Sequence, residues 1–429
     1  MRLLIRNGYV MDPRSGYEGK RDILLDEGRI LRMGDARQWS ADMPGVEEYN
    51  ADGLTVAPGL IDVHVHFRDP GFTHKEDIIS GSRAAARGGF TTVVLMANTR
   101  PVVDNEATLA YVLEKGRKTG IHVESCCAVT KGLQGREPVD MASLLAAGAA
   151  GFTDDGIPLT DETLAARVMR EAAAVGAVLS FHEEDPACIG NNGVHAGAAS
   201  AHYGIAGSPR EAEIGMIRRD IRLAAETGAV INIQHISTKE GVALVREAKR
   251  QGVAVHAEAT PHHFSLTQDA VIRYGTLAKM NPPLREEGDR LAIIEGLRDG
   301  TIDLIATDHA PHSAGEKDRP ITQAPSGIIG LETALPLGVT MLVCPKYLTL
   351  MSLLEKMTCN PAALYDMDRG YLAEGGPADL VLFDAAGRYT AGGYASRSDN
   401  SPFTGLELTG RVVCTVCGGR IVYEEREAR

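Results

Sequence analysis

The chain has 429 residues, room for one large α/β unit plus a smaller one at the usual domain sizes. Apolar residues make up 44% and charged residues 24%, the balance of a globular protein, which excludes disordered and fibrous classes. With 44 Lys+Arg against 57 Asp+Glu the net charge is -13, a field that repels polyanions and argues against nucleic acid as a partner.

The opening MRLLIRNGYVMDP is too short and too soon interrupted by charge for a secretory signal. No later run reaches the roughly 18–20 apolar residues of a membrane helix, so no membrane partner is expected. Seven cysteines without framework spacing suit a reducing cytoplasm, the expected location. Residues 1–57 read as short strands parted by turn residues: RLLIRNGYVMD, RDILLDEGRILRMG and VEEYNADGLTVAPG.

From Gly59 the pattern changes to β-branched runs alternating with Ala-rich segments of helical period. Strands are predicted at 60–67, 91–98, 121–129, 149–155, 177–183, 229–237, 253–260 and 303–308. Helices are predicted at 78–87, 105–118, 161–175, 210–227, 239–250 and 289–298, with a last one at 327–342. Eight βα repeats over residues 58–365 predict an α/β fold of the (β/α)8 TIM-type barrel class. Strand patterning returns after about residue 370 in PADLVLFDAAG and GRVVCTVCGGRIVYEE. Neither terminal segment has strands enough for a core, so 1–57 and 366–429 are expected to pair as one small β-sandwich-like domain. Cys414 and Cys417 lie three apart on a predicted strand and face opposite ways, which reads as packing.

In such a barrel the chemistry sits at the C-terminal strand ends. Strand one ends in His64-Val65-His66, whose period-two spacing turns both imidazoles to the same side, followed by Arg68. Strand four ends in Thr153-Asp154-Asp155, strand five in His182-Glu183-Glu184, strand six in Gln234-His235 and strand eight in Thr307-Asp308-His309. Each alone reads as an ordinary hydrogen-bonded residue. Together, at four or more strand ends, they predict a metal site, with either Asp154 or Asp155 taking part. His262 and His263, beside Pro261, are expected to pack, and His122, at the start of its strand, to be structural. His195 and His202, in the Gly/Ala/Ser-rich loop 190–201 and just beyond it, are expected to be solvated.

The motifs DVHVHFRDPG (62–71), MANT (96–99), GFTDDG (151–156), FHEE (181–184), QHIS (234–237), ATPHHF (259–264), MNPPLR (280–285), TDHAPH (307–312), NPA (360–362) and PADLVLFD (377–384) resemble the amidohydrolase superfamily, and within it the class I dihydroorotases. The resemblance implies two zinc ions (Zn2+) per subunit. His64, His66 and Asp308 would hold the first and His182 and His235 the second, with a carboxylate bridging them. Hydantoinases and allantoinases use a carboxylated lysine as that bridge. AAGAAGFTDDG offers no lysine, and the resemblance assigns Asp155. It further implies that Arg68, Asn98 and His312 meet a substrate carboxylate, that Asn281 meets a ring amide, and that His66 and the backbone at Ser326 and Gly327 also contact substrate. Ala97 and Ser326 depart from the family pattern, which has proline and an aromatic residue there.

The implied activity is the reversible cyclisation of N-carbamoyl-L-aspartate to L-dihydroorotate in pyrimidine biosynthesis, with Asp308 as catalytic acid and base. The competing enzyme reading, an allantoinase- or dihydropyrimidinase-like cyclic amidase, would want a bridging lysine, and a neutral dihydropyrimidine would leave Arg68 without a carboxylate to hold. A non-catalytic subunit of an aspartate transcarbamoylase complex would be expected to have lost metal ligands, and none is lost here. A homo-oligomer is expected, and the resemblance also admits docking onto an aspartate transcarbamoylase. The polar segment 313–326 is a candidate lid.

Overall fold

The structure, a computed structural model, describes residues 2–39 and 45–425. Residue 1 and residues 40–44 and 426–429 of the expected terminal segments lie outside the described residues. Five strands come first: β1 Arg2–Asp12, β2 Tyr17–Asp26, β3 Arg29–Gly34, β4 Val46–Asn50 and β5 Thr55–Pro58. Eight more follow: β6 Leu60–Val65, β7 Phe90–Leu95, β8 His122–Ala128, β9 Gly151–Thr153, β10 Val178–Phe181, β11 Val230–Ile233, β12 Val255–Ala259 and β13 Leu304–Ile305. The last three are β14 Leu380–Thr390, β15 Glu407–Cys417 and β16 Arg420–Glu424.

Strands β6 to β13 form one sheet in sequence order, and every registered pair is parallel. A parallel strand is covered on both faces, and all six residues of β6 and all six of β7 are buried accordingly. The sheet closes where Val65 bridges His309 and the His66 N–H donates to the His309 carbonyl at 2.8 Å. This is the barrel that the sequence predicts.

The eighth strand is shorter than predicted: only Leu304 and Ile305 make regular ladder pairs, and the chain then runs extended to the seam at His309. The last predicted helix, 327–342, is also corrected. Gly327 sits at φ +130°, outside helical space, and Ile328 bridges His309, so helix begins only at Leu331. Pro336, which lacks an N–H, lies inside the short α-helical part, Ala334–Gly338.

The helix Ile78–Arg87 shows how a barrel helix is specified. Asp77 caps it by accepting from Ser80 N at 2.8 Å, and the Ser80 hydroxyl returns a bond to Asp77 N–H. Its buried face is small, and an added Cβ at Gly81 would lie 2.4 Å from the Phe67 ring. Phe67, the residue before Arg68, can thus lie under the helix.

The terminal strands form a second sheet in the order β16-β15-β14-β5-β1-β2-β3, with β4 also beside β1. Its two halves join where β14 pairs antiparallel with β5. Leu3, Ile5, Ile23, Val56, Leu380, Cys414 and Val416 share one core, so the sheet curves over itself. Cys414 faces this core while Cys417 faces the barrel core, the opposite orientations expected of residues three apart.

Candidate active site

Strand ends bring His64, His66, Asp155, His182, His235 and Asp308 into one buried group. His66 Nε2 lies 2.9 Å from Asp308 Oδ1 and 3.4 Å from Asp155 Oδ2. His64 Nε2 lies 3.5 Å from Asp308 Oδ1 and 3.8 Å from Asp155 Oδ1. His182 Nδ1 lies 3.3 Å from Asp155 Oδ1, and the His235 ring packs 4.7 Å from that of His182. The alternatives at strand four are geometrically distinct. Asp154 turns away and accepts from the backbone of His182 and Leu159, at 2.9 and 2.8 Å. Asp155 faces three histidines. Burial pushes Asp154 up to about 7, whereas His66, His182 and His64 outweigh burial at Asp155 and hold its carboxyl well below the ordinary range.

Three of the four rings are aimed by a neighbour. His64 Nδ1 meets Glu258 Oε2 at 3.0 Å, His66 Nδ1 meets Asn98 Oδ1 at 2.9 Å, and His182 Nε2 lies 3.3 Å from Glu184 Oε2. Those contacts assign the ring hydrogens outward and leave one bare nitrogen per ring toward the centre. His64 Nε2, His182 Nδ1 and His235 Nδ1 are buried with no hydrogen-bond partner. His64, His66 and Asp308 form one convergent donor group, and His64, Asp155 and His235 another. Orphaned imidazole nitrogens beside paired carboxylates suit one or more divalent cations. Burial opposes charging His64, yet Glu258, Asp308 and Asp155 raise it to about 10, because three carboxylates converge on this ring.

Arg68, His235 and Asp308 adopt φ of +59°, +31° and +47°, values that side-chain-bearing residues rarely hold. The strands end abruptly here, and the strained residue turns its side chain across the barrel mouth. Gly156, at φ +87°, lets the chain leave Asp155 close beside Asn98.

Above the cluster lies a cavity of about 420 Å³ lined by every residue predicted to touch substrate: His66, Arg68, Asn98, Asn281, His312, Ser326 and Gly327. Arg68 is mostly buried, and among the described residues no carboxylate lies within ion-pair distance of its guanidinium. His312 Nε2 lies 2.9 Å from Ser326 O and 3.4 Å from Arg68 Nη2, while Lys75 Nζ lies 3.3 Å from its Nδ1. Asn98 also donates to Asp155 Oδ2 at 3.1 Å, and Asn281 Oδ1 accepts from Gly193 N at 3.0 Å. Gly327 N–H is taken by Lys279 O at 2.9 Å, whereas the Ser326 hydroxyl is buried without a partner.

Other predictions meet mixed outcomes. His262 and His263 are buried, the latter between Thr260 Oγ1 and Pro282 O, and His202 is exposed. The expectation of a solvated His195 is corrected. It is 3% exposed and meets Arg285 Nη1 at 3.1 Å, because its loop folds back through a bridge to Ser208. Sequence reasoning missed Glu258, Glu184 and Lys75. Glu258 stands near the end of β12, so the strand-end rule applied to HAEAT finds it. Lys75 lies on a loop and carries no such signal.

A profile described as Dihydro-orotase-like matches residues 53–241. The dihydroorotase of Clostridioides difficile is 52% identical over 425 residues, 98% of this chain and 99% of that protein. That of Clostridium acetobutylicum is 49% identical over 99% of this chain and 100% of its own length. The chain belongs to the dihydroorotase family. Among solved structures, the L-hydantoinase (dihydropyrimidinase) of Arthrobacter aurescens superposes with TM-score 0.89 at 26% identity, covering 99% of this chain and 96% of that one. This dihydroorotase family member therefore shares its barrel and terminal sheet with cyclic-amide hydrolases, and half its sequence with dihydroorotases.

Proposed function

We propose that the chain interconverts N-carbamoyl-L-aspartate and L-dihydroorotate, using two zinc ions held by His64, His66 and Asp308 and by His182 and His235, with Asp155 between them. The observation that carries this reading is the Arg68 guanidinium, mostly buried at the cavity wall, with no carboxylate among the described residues at ion-pair distance, and facing a metal-type donor cluster. A buried fork of that kind wants a planar anion. The ring carboxylate of dihydroorotate supplies one, and the neutral ring of a dihydropyrimidine does not.

Zinc, when bound, supplies Lewis acidity toward a carbonyl oxygen and makes water a stronger acid. The chain's own groups do the rest. Arg68 and His312 orient the substrate carboxylate, and Asn281, steadied by Gly193 N–H, meets the ureido edge. In hydrolysis Asp308 takes a proton from the attacking water and hands it to the departing ring nitrogen. In ring closure it takes a proton from the ureido nitrogen as the new C–N bond forms and returns it to the oxygen that leaves as water. Glu258 and Asn98 keep the His64 and His66 rings from rotating. Closure consumes one proton per turnover, because a carboxylate becomes an amide carbonyl and water.

The test is steady-state turnover of L-dihydroorotate by the zinc-replete protein beside allantoin and dihydrouracil. Turnover of dihydroorotate alone is expected, and turnover of a neutral ring instead would overturn the reading. The same reading carries with it a cytoplasmic, homo-oligomeric enzyme, whose mass in solution light scattering reads directly, and whose docking on an aspartate transcarbamoylase co-elution would show.

A further inference from the structure

At the opposite end of the barrel, His122 begins β8, Asp379 immediately precedes β14 and Cys417 ends β15. The three meet where the barrel bottom faces the terminal sheet. His122 Nε2 lies 3.0 Å from Asp379 Oδ2, and one donor atom from each of the three residues lies within 4.8 Å of the other two. Asp379 and Cys417 are 3% and 6% exposed, while the His122 side chain is about one-third exposed. Two clefts meet at His122, of about 850 Å³ and 520 Å³. Cys417 lines the larger and Asp379 the smaller, so a small cation has a way in.

We propose that His122, Asp379 and Cys417 form a second, structural metal site for zinc, which fastens the terminal sheet to the barrel. The donor set is one imidazole nitrogen, one carboxylate oxygen and one thiolate sulfur, a combination suited to a borderline-soft divalent ion and absent from the all-nitrogen and oxygen cluster at the barrel mouth. Tetrahedral zinc needs ligand atoms about 3.3–3.6 Å apart; His122 Nε2 and Asp379 Oδ2 lie at 3.0 Å and the sulfur within 4.8 Å of a donor atom of each, and water entering by the clefts would fill the fourth position. Charge balance supports it: a carboxylate and a thiolate neutralise a divalent ion, which suits a mostly buried place.

A cation would take the place of the hydrogen shared by His122 Nε2 and Asp379 Oδ2. Asp379 Oδ1 accepts from Gly418 N–H at 2.8 Å, which fixes the carboxylate and leaves Oδ2 pointed at His122. The Cys417 thiol makes a long contact to the Thr91 carbonyl, 3.7 Å. Loading releases the thiol proton to solvent and moves the imidazole hydrogen from Nε2, where it faces Asp379 Oδ2, to Nδ1.

Cobalt(II) added to the full-length protein tests the proposal, because only a thiolate ligand gives a near-ultraviolet sulfur-to-cobalt charge-transfer band. The band is expected in the wild type at one equivalent per chain and is expected to vanish in both Cys417→Ser and His122→Gln. Zinc retained after dialysis against a chelator of moderate strength is expected to fall by one equivalent in each variant, with turnover at the barrel mouth unchanged. A wild type without the band, or a band that survives Cys417→Ser, would overturn the site. Neither result bears on the reading of the barrel-mouth cluster, which contains no sulfur donor.

Discussion

Asp154 and Asp155 are chemically identical neighbours with opposite surroundings, and their contrast sets what single substitutions should do. Asp155 faces His64, His66 and His182, so Asp155→Asn is expected to lower metal content and activity together. Asp154→Asn keeps an acceptor for only one of the His182 and Leu159 amides and turns its NH2 against the other, so it should cost stability before chemistry. Metal analysis with thermal melts of both variants checks the pair. For Asp308→Asn, the loss of a group that moves the proton in both directions predicts a fall in kcat of about 10²–10⁴-fold with KM little changed. Steady-state kinetics in each direction reads this, and a variant active within a few-fold of wild type would remove Asp308 from that role. Arg68→Met should instead raise KM for dihydroorotate by about 10–100-fold, the worth of a charge-assisted hydrogen-bonding pair. The six clustered residues were legible because period-two alternation and the strand-end rule act locally. Glu258 aims His64 across 194 residues of sequence, and Lys75 reaches His312 across 237, so their roles appear only once the barrel has closed.

Among the elements, the helices Ile78–Arg87, Arg210–Thr227 and Lys239–Arg250 match their predicted bounds, because caps and apolar period agree. The segment 327–342 misled because its apolar content is helical in period while Gly327 and the bridge at Ile328 are tertiary facts. Asp77→Ala removes both the cap of Ile78–Arg87 and an ion pair with Arg397, and is expected to lower stability by about 1–2 kcal/mol in a denaturation experiment. The candidate lid 313–326 lines the cavity through residues 322–326 and is tied down by two lysines. Lys279 Nζ donates to Ile321 O and Ala324 O, both at 2.7 Å, and Lys317 Nζ donates to Pro325 O and Gly327 O at 3.0 and 2.9 Å. Burial, and then Lys279, push Lys317 down from 10.5 to about 7. Between those values the unfolded chain carries the extra proton, so the contribution of Lys317 to stability rises with pH from about 7 to 10.5 and is lost as pH falls through 7. Melting temperatures of wild type and Lys317→Met across that window should diverge in the wild type's favour, and a constant difference would count against the assignment.

For the whole molecule, proton balance and metal linkage give two bulk expectations. Because ring closure takes up a proton, the equilibrium ratio of dihydroorotate to N-carbamoyl-L-aspartate should fall about tenfold per pH unit above the carboxylate range. Product ratios after equilibration at several pH values measure this, and a ratio independent of pH would contradict the reaction. Chelation should abolish turnover and lower the melting temperature, since an ion at 100 times its Kd contributes about 2.7 kcal/mol to the folded state. The two-sheet plan was legible from strand patterning, but the curl of the terminal sheet was set by contacts between segments more than 300 residues apart in the chain.

The seam of the barrel has one more consequence. His66 and Asp308 are 242 residues apart along the chain, yet they are neighbours across the closing contact of Val65 with His309. The longest strand-to-strand closure in the barrel sheet is therefore also the event that creates the donor group of His64, His66 and Asp308. A nascent or nicked barrel that has not yet joined its first strand to its last holds no such group. Catalytic competence thus arrives in one step, and a cation bound there rewards completion of the ring over any partly assembled form.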